Sequence, residues 1–547
     1  MMPVLPNRMN LSKRPMRNLC LLLLSVAVLP VFGADLAVKT SQGKLQGKAS
    51  PGGGAAFLGV PFAAPPVGDL RWKAPAPPAK WKGVRDATSF GHHCMQPTLY
   101  SDMIFRDPGQ SEDCLTLNIW TPDAAKAEKH KKLPVMVWIY GGGFLAGGTS
   151  EPRQDGAALA QNGVIVVSMN YRLGIFGFFV NHDLAAENEH HSAGNYGLMD
   201  QAAALRWVKD NIKSFGGDPG NVTLFGESAG SFSVSAQMAS PAAKGLFVKA
   251  IGESGGAFSR TLAFPLLEDA AKADEAFAGK AFNTTSLASL RALSADQVLE
   301  GSSREDAGVP RFVPDIDGYF LPESVSAIYA EGKQARIPLL AGWNKDEGSG
   351  SVISAKQKPT VESLRAMAHQ LFGTRADEAL RVYAATNDDE ALRVAEDYAG
   401  DTFIAYSTWA WLEAQVKTGD APVFRYRFDR GSPGDAKHPE DFGAFHSDEI
   451  EYVFGNLDSR PGAVWKPEDY KLSKLMQTYW TNFARSSDPN SAGSAQASVP
   501  VWPKYDAAGQ WQVMHLDDNS SARPDEHRAR YLFLQSAGDR AADPTDQ

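Results

Sequence analysis

A serine hydroxyl is a poor nucleophile at neutral pH, and it attacks carbonyls only when a base takes its proton and an acid orients that base. The sequence Gly226-Glu227-Ser228-Ala229-Gly230 stands directly after Asn221-Val222-Thr223-Leu224-Phe225, which reads as a buried strand, and before Phe232, Val234 and Met238, spaced as on an amphipathic helix. Glycines two positions either side of a serine allow a strand to reverse sharply into a helix. The helix then aims its opening amides at a reacting oxygen. Gly252-Glu253-Ser254-Gly255-Gly256 has the same form, so the motif alone does not choose between the two serines.

The remaining chemistry has to come from elsewhere. Gly141-Gly142-Gly143-Phe144 follows the apolar run 133–140, and glycines placed there bring backbone amides close to a substrate oxygen. With the amide of Ala229, those of Gly142 and Gly143 make three candidate donors. Among the histidines, His92, His93, His190, His191 and His438 sit in polar surroundings and read as exposed. His446 is flanked by apolar residues and lies downstream of both Ser228 and an acidic loop, which raises it as the base. That loop, Asn344-Lys345-Asp346-Glu347-Gly348, offers two carboxylates, and by chemistry Asp346 and Glu347 are both open as the orienting acid. The order serine, acid, histidine is that of the α/β-hydrolases. No His-Glu-x-x-His or other metal-ligand spacing is present, and no cofactor is expected.

These loops need a scaffold. Apolar runs at 115–120, 133–140, 164–169, 246–251, 337–341, 423–428 and 511–516 read as strands, and residues 198–215 carry helical spacing up to Gly216-Gly217-Asp218-Pro219. Such alternation implies an α/β fold with a largely parallel central sheet and helices on both faces. Residues 260–420 turn mostly helical and are expected to form a cap over the site. Near the start, 36–40 and 43–47 read as a hairpin, and the prolines of 57–75 predict an extended segment without regular elements.

The ends of the chain differ from its body. Arg8, Lys13, Arg14 and Arg17 precede an apolar run at 19–29, and Val31-Phe32-Gly33 offers a cleavage site, so 1–33 reads as a secretory signal. A run of that length is shorter than the roughly 20 residues needed to span a bilayer. The expected destination is therefore secreted or periplasmic, with no stable membrane association after cleavage. Loss of the leader would make an already acidic chain, with formal net charge −9 in 547 residues, more acidic still. Nucleic acid is excluded as a partner on that ground. Cys20 would leave with the leader, and Cys94 and Cys114, as two cysteines of an exported chain, are expected to pair. Residues 34–535 read as a single domain, and 536–547 as a polar, disordered tail.

Several ordered motifs extend the pattern: Gly-Val-Pro-Phe-Ala at 59–63, Leu-Arg-Trp at 70–72, Ser-Glu-Asp-Cys-Leu-Thr-Leu-Asn-Ile at 111–119 and Gly-Asn-Tyr-Gly-Leu-Met-Asp-Gln at 194–201. Together with Tyr-Gly-Gly-Gly-Phe at 140–144, Phe-Gly-Glu-Ser-Ala-Gly at 225–230, Asn-Lys-Asp-Glu-Gly at 344–348 and the stretch around His446, they resemble the type-B carboxylesterases, the carboxylesterase and cholinesterase family of the α/β-hydrolase fold. The resemblance implies a serine esterase working through an acyl-enzyme, with Ser228 as nucleophile, Glu347 as acid, His446 as base, and Gly142, Gly143 and Ala229 as oxyanion hole. It prefers Glu347 to Asp346, makes Ser254 a structural serine, and supports the Cys94–Cys114 disulfide. It also implies an Arg71–Glu112 ion pair, and gorge-lining roles for Glu227 and Glu449, with Phe144 helping to shape the pocket. Cholinesterases carry a tryptophan shortly before the Ser-Glu-Asp-Cys motif, whereas 101–110 holds only Phe105 as an aromatic, which argues against a choline ester. An amidase, a peptidase or a lipase could use the same triad, and non-catalytic relatives of the fold exist. The natural small-molecule ester and the oligomeric state are not encoded in these motifs.

Overall fold

The computed structural model describes residues 36–123, 132–348, 358–434, 443–490 and 499–541. The expected signal at 1–33 and His438 lie outside them. An eleven-stranded sheet forms the centre: β1 Lys48–Ala49, β2 Ala55–Pro61, β3 Thr116–Thr121, β4 Leu133–Ile139, β5 Ile165–Met169, β6 Gly217–Glu227, β7 Lys249–Glu253, β8 Leu339–Asn344, β9 Val423–Phe428, β10 Gln512–Leu516 and β11 Ser521–Pro524. Their spatial order is β11-β10-β9-β8-β7-β6-β4-β5-β3-β2-β1. From β5 across to β10 the neighbours run parallel, and both edges are antiparallel.

The parallel centre follows from composition. β5, β7 and β8 bury every residue, as strands covered on both faces must, and apart from Lys249, Glu253 and Asn344 at strand ends their residues are apolar or small. Helix α1, Tyr196–Asn211, links β5 to β6, and α2, Ala229–Ala239, links β6 to β7. A short 3-10 turn continues α1 to Phe215, and Gly216 ends it in the left-handed region at φ 89°.

The predicted hairpin forms, Ala37–Lys39 against Lys44–Gln46, in a separate small sheet with Val84–Asp86. The proline-based expectation for 57–75 is corrected at its start: Ala55–Pro61 is a strand beside β3. Proline is tolerated because Pro61 stands at the last position and the other prolines come after it, while the register slips between Phe57 and Val60. The predicted tail is also shortened, because the last helix, Arg528–Ala541, continues past Ser536.

Two covalent or ionic ties fasten the N-terminal third. Cys94 and Cys114 form a disulfide. Arg71 donates through Nε and Nη2 to the two oxygens of Glu112, both at 2.7 Å, and through Nη1 to the Leu293 carbonyl at 2.8 Å. That last bond ties the segment to the inserted helices. These include Leu267–Ala281, Val361–Phe372, Asp388–Gly400 and Tyr406–Thr418, with a π-helical turn at Asp401–Ala405. Among the described residues no helix is long and apolar enough to cross a membrane.

Candidate active site

β6 ends at Glu227 and α2 begins at Ala229, so Ser228 alone makes the turn, and it does so at φ 54°, ψ −123°. A non-glycine residue held there stores about 1–3 kcal/mol of backbone strain, which the neighbouring strands must hold in place. The Ser228 amide donates to the Glu253 carbonyl at the end of β7, at 2.8 Å, and this contact keeps the turn closed. The close approach of backbones explains one flanking glycine directly. A Cβ on Gly230 would stand 2.0 Å from the Ile139 carbonyl oxygen of β4.

The hydroxyl is not alone. His446 Nε2 lies 2.9 Å from Ser228 Oγ, and His446 Nδ1 lies 2.7 Å from Glu347 Oε2. A carboxylate at Nδ1 fixes the tautomer with its proton on that nitrogen and leaves Nε2 as acceptor for the hydroxyl. Glu347 is itself held on its other oxygen. Oε1 accepts from the Asn344 amide at 2.9 Å and from the Ser254 hydroxyl at 2.6 Å.

The two loops that deliver Glu347 and His446 are stitched together. Asp346 sends its amide to the Ala444 carbonyl at 2.9 Å and receives the Ala444 amide on Oδ2 at 2.8 Å. Asn344 donates its side-chain amide to the Phe445 carbonyl and to Glu449 Oε2, each at 2.6 Å. The choice left open between two carboxylates therefore separates into two positions: Glu347 faces the imidazole, while Asp346 clamps the histidine loop.

Charge around His446 is unusual. Burial works against protonation, yet Glu347, Glu227 and Glu449 outweigh it and push the imidazole up to about 10. Glu227, whose Oε1 lies 3.3 Å from His446 Nε2, is pushed up to about 7 by burial despite the opposing pull of His446 and Arg153. Each proton on this pair alters the affinity of the other group for its own. A protonated, neutral Glu227 leaves His446 less basic and better able to stand uncharged beside Ser228.

Ser228 opens into a cavity of about 410 Å³ that is also lined by Gly142, Gly143, Ala229, Phe144 and Glu227. Ala229 is the first residue of α2, and opening amides of a helix have no partner within it. Gly142 and Gly143 have φ of 101° and 67°, a turn in which a Cβ on Gly142 would strike the Ala146 carbonyl oxygen at 2.1 Å. Phe264, Leu262 and Phe403 add apolar wall, and the Phe403 ring stands edge-on to His446 at 5.2 Å.

Not every expected residue lines the cavity. Glu449 is fully buried behind it, where it accepts from the Asn344 side chain at 2.6 Å and from the Ser254 hydroxyl at 3.4 Å. Ser254 is fully buried, and its hydroxyl reaches Glu347, a contact that the motif gives no means of seeing. Phe403 and Arg311, which line the cavity, carry no motif and reach it only through the tertiary placement of the inserted segments. Among the described residues no cluster of histidine, cysteine and carboxylate side chains could hold a metal ion.

A strained serine between a parallel strand and a helix, with a carboxylate and a histidine brought by loops after two later strands, defines a serine hydrolase of the α/β-hydrolase fold. The chain belongs to the carboxylesterase family, whose sequence model matches residues 34–533. It is 40% identical over 516 residues to the para-nitrobenzyl esterase of Bacillus subtilis (strain 168), covering 92% of this chain and 99% of that one. It is 38% identical over 467 residues to a fumonisin B1 esterase of Sphingopyxis macrogoltabida, covering 83% and 82%. A solved PNB esterase superposes with a TM-score of 0.76 at 37% identity, over 91% of this chain and 99% of that chain. A thermophilic PNB esterase matches equally well, at 0.76 and 37%, over 91% and 100%. The protein is a serine carboxylic ester hydrolase.

Proposed function

We propose that Ser228 is the nucleophile, His446 the general base and acid, and Glu347 the group that orients the imidazole. The hydroxyl attacks the ester carbonyl as its proton passes to Nε2. The carbonyl oxygen, now negative, is received by the amides of Gly142, Gly143 and Ala229. His446 returns the proton to the departing alcohol, and water cleaves the acyl-enzyme by the same route. What supports this reading most is the unbroken run of short contacts from Ser228 through His446 to Glu347, 2.9 Å and 2.7 Å, opening into a cavity. Glu227 adjusts the basicity of His446 from the cavity wall, and Phe144 shapes the space beside it.

The phenylalanine-lined walls and the likeness to para-nitrobenzyl esterase favour aryl and short-chain esters as convenient probes. Ser228→Ala is expected to lower turnover of p-nitrophenyl butyrate by about five orders of magnitude, with an unchanged circular dichroism spectrum. Turnover within tenfold of the natural protein would reject Ser228 as nucleophile.

We also propose that the protein is exported, on the basic and apolar character of 1–33. A disulfide between Cys94 and Cys114 is at home in an oxidising compartment. Expression of the full chain in a bacterium with fractionation should place a product beginning near Ala34 outside the cytoplasm. Uncleaved protein confined to the cytoplasm would overturn this.

A further inference from the structure

The two arginines lining the reaction cavity are held differently. Arg153 is neutralised by Glu151 at 2.9 Å, with Asp102 at 3.5 Å. Arg311 has no acidic partner among the described residues, and its Nη1 donates only to the Thr261 carbonyl, at 3.3 Å. The side chain is exposed overall, partial burial of its head lowers its affinity for the proton, and no carboxylate among the described residues opposes that. A guanidinium that is partly desolvated and unpaired has most of its donor fork available to a ligand.

Its position is also particular. Arg311 lines both the cavity holding Ser228 and a neighbouring cavity of about 410 Å³, and Gly143 is shared between the same two. The neighbouring cavity has a largely apolar wall that includes Leu99, Leu145, Ile175, Leu299 and Val309, and the one carboxylate on it is that of Glu305, an exposed side chain with no ion pair to Arg311. Arg311 hangs from a backbone that is fixed by the next residue. Phe312 is buried and packs on Phe277 and Phe179, with ring centroids at 5.6 Å and 6.5 Å. The carboxylates lining the reaction cavity are directed elsewhere: Glu227 faces His446, and Glu151 and Asp102 face Arg153.

Resting on the esterase reading above, we propose that Arg311 is a specificity-determining residue that receives a carboxylate carried by the substrate. The enzyme then prefers esters with an anionic group a few methylenes from the scissile carbonyl to neutral esters of the same size. The apolar wall takes the methylene chain, and the guanidinium takes the carboxylate through a charge-assisted, two-pronged contact.

Two probe pairs locate the carboxylate. p-Nitrophenyl hydrogen glutarate against p-nitrophenyl butyrate reads the acyl side, and 4-acetoxybenzoate against phenyl acetate reads the alcohol side, with uncatalysed rates subtracted. In one pair Arg311→Ala should lower kcat/KM for the anionic member about tenfold, chiefly through KM, the figure expected of a charged hydrogen bond discounted for its exposure. The neutral member should stay within about twofold, and Arg311→Lys should keep part of the preference. Equal losses on both members of each pair, or no loss on any, would overturn the proposal. If the natural protein turned over no member of either pair, the esterase reading would fall on its own. Calorimetry of glutarate binding to Ser228→Ala then decides the arginine. About tenfold weaker binding on adding Arg311→Ala supports it, and unchanged binding rejects it.

Discussion

β6 and β7 lie side by side and end in the same way. Gly226 pairs with Gly252 and Glu227 with Glu253, and each strand runs into a serine at φ 54°. Even the backbone contact repeats: Ser228 donates its amide to Glu253 and Ser254 donates its amide to Gly342, each at 2.8 Å across to the next strand. Beyond that the two sites part. Ser228 is followed by an eleven-residue helix and opens into the cavity, whereas Ser254 is followed by Gly255 at φ 154° and is fully buried. The Ser228 hydroxyl meets His446, while that of Ser254 sits behind Glu347 and donates to it. A strained serine turn is thus a local property of a strand end. Nucleophilicity is a property of what the later loops bring to it.

The contrast can be tested along the chain of contacts. Glu347→Gln should break the Ser228 site most severely after the serine itself. Without the carboxylate the imidazole loses its tautomer and its counter-charge, at a cost of about ten-thousandfold in kcat. Ser254→Ala removes one of the two hydrogen bonds on Glu347 Oε1 and leaves the turn in place. A loss of about tenfold in kcat with KM little changed is expected from one hydrogen bond to a charged group. A loss approaching that of Glu347→Gln would mean that Ser254 does more than position.

The two glutamates separate the sites by pH. Glu227 helps push His446 up, so Glu227→Gln should lower the basicity of His446. The acid limb of kcat/KM, where the imidazole becomes protonated and unable to accept, should then move to lower pH by about one unit. Burial pushes Glu253 up to about 8, but it bonds to the Trp480 indole at 2.7 Å, outside the cavity. Glu253→Gln should leave the acid limb where it is. Movement of the limb to higher pH in Glu227→Gln, or an equal shift in both variants, would contradict the electrostatic account.

Much of the candidate site is legible in the sequence, because its parts stand at strand ends. Gly142, Ser228 and Glu347 each follow a continuous apolar run, and period and glycine placement mark such junctions locally. What escaped reading was non-local. The Ser254 hydroxyl and the Glu347 carboxylate are 93 residues apart, and their meeting depends on the parallel pairing of β7 with β8. A gorge-lining position for Glu449 is likewise overridden by non-local contacts, with Asn344 and Ser254, which hold it behind the wall. Phe403 arrives on a π-helical turn that no apolar period announces. The strand at Ala55–Pro61 is hidden among prolines that lie at or beyond its end, a position that only its pairing with β3 reveals.

The central claim is that only one of two nearly identical serine turns reacts. A fluorophosphonate incubated with the native protein, followed by proteolysis and mass spectrometry, reads this directly. The account predicts a single adduct, on the peptide containing Ser228, with loss of esterase activity in step with labelling. An adduct on Ser254, or full labelling of Ser228 with activity retained, would contradict it.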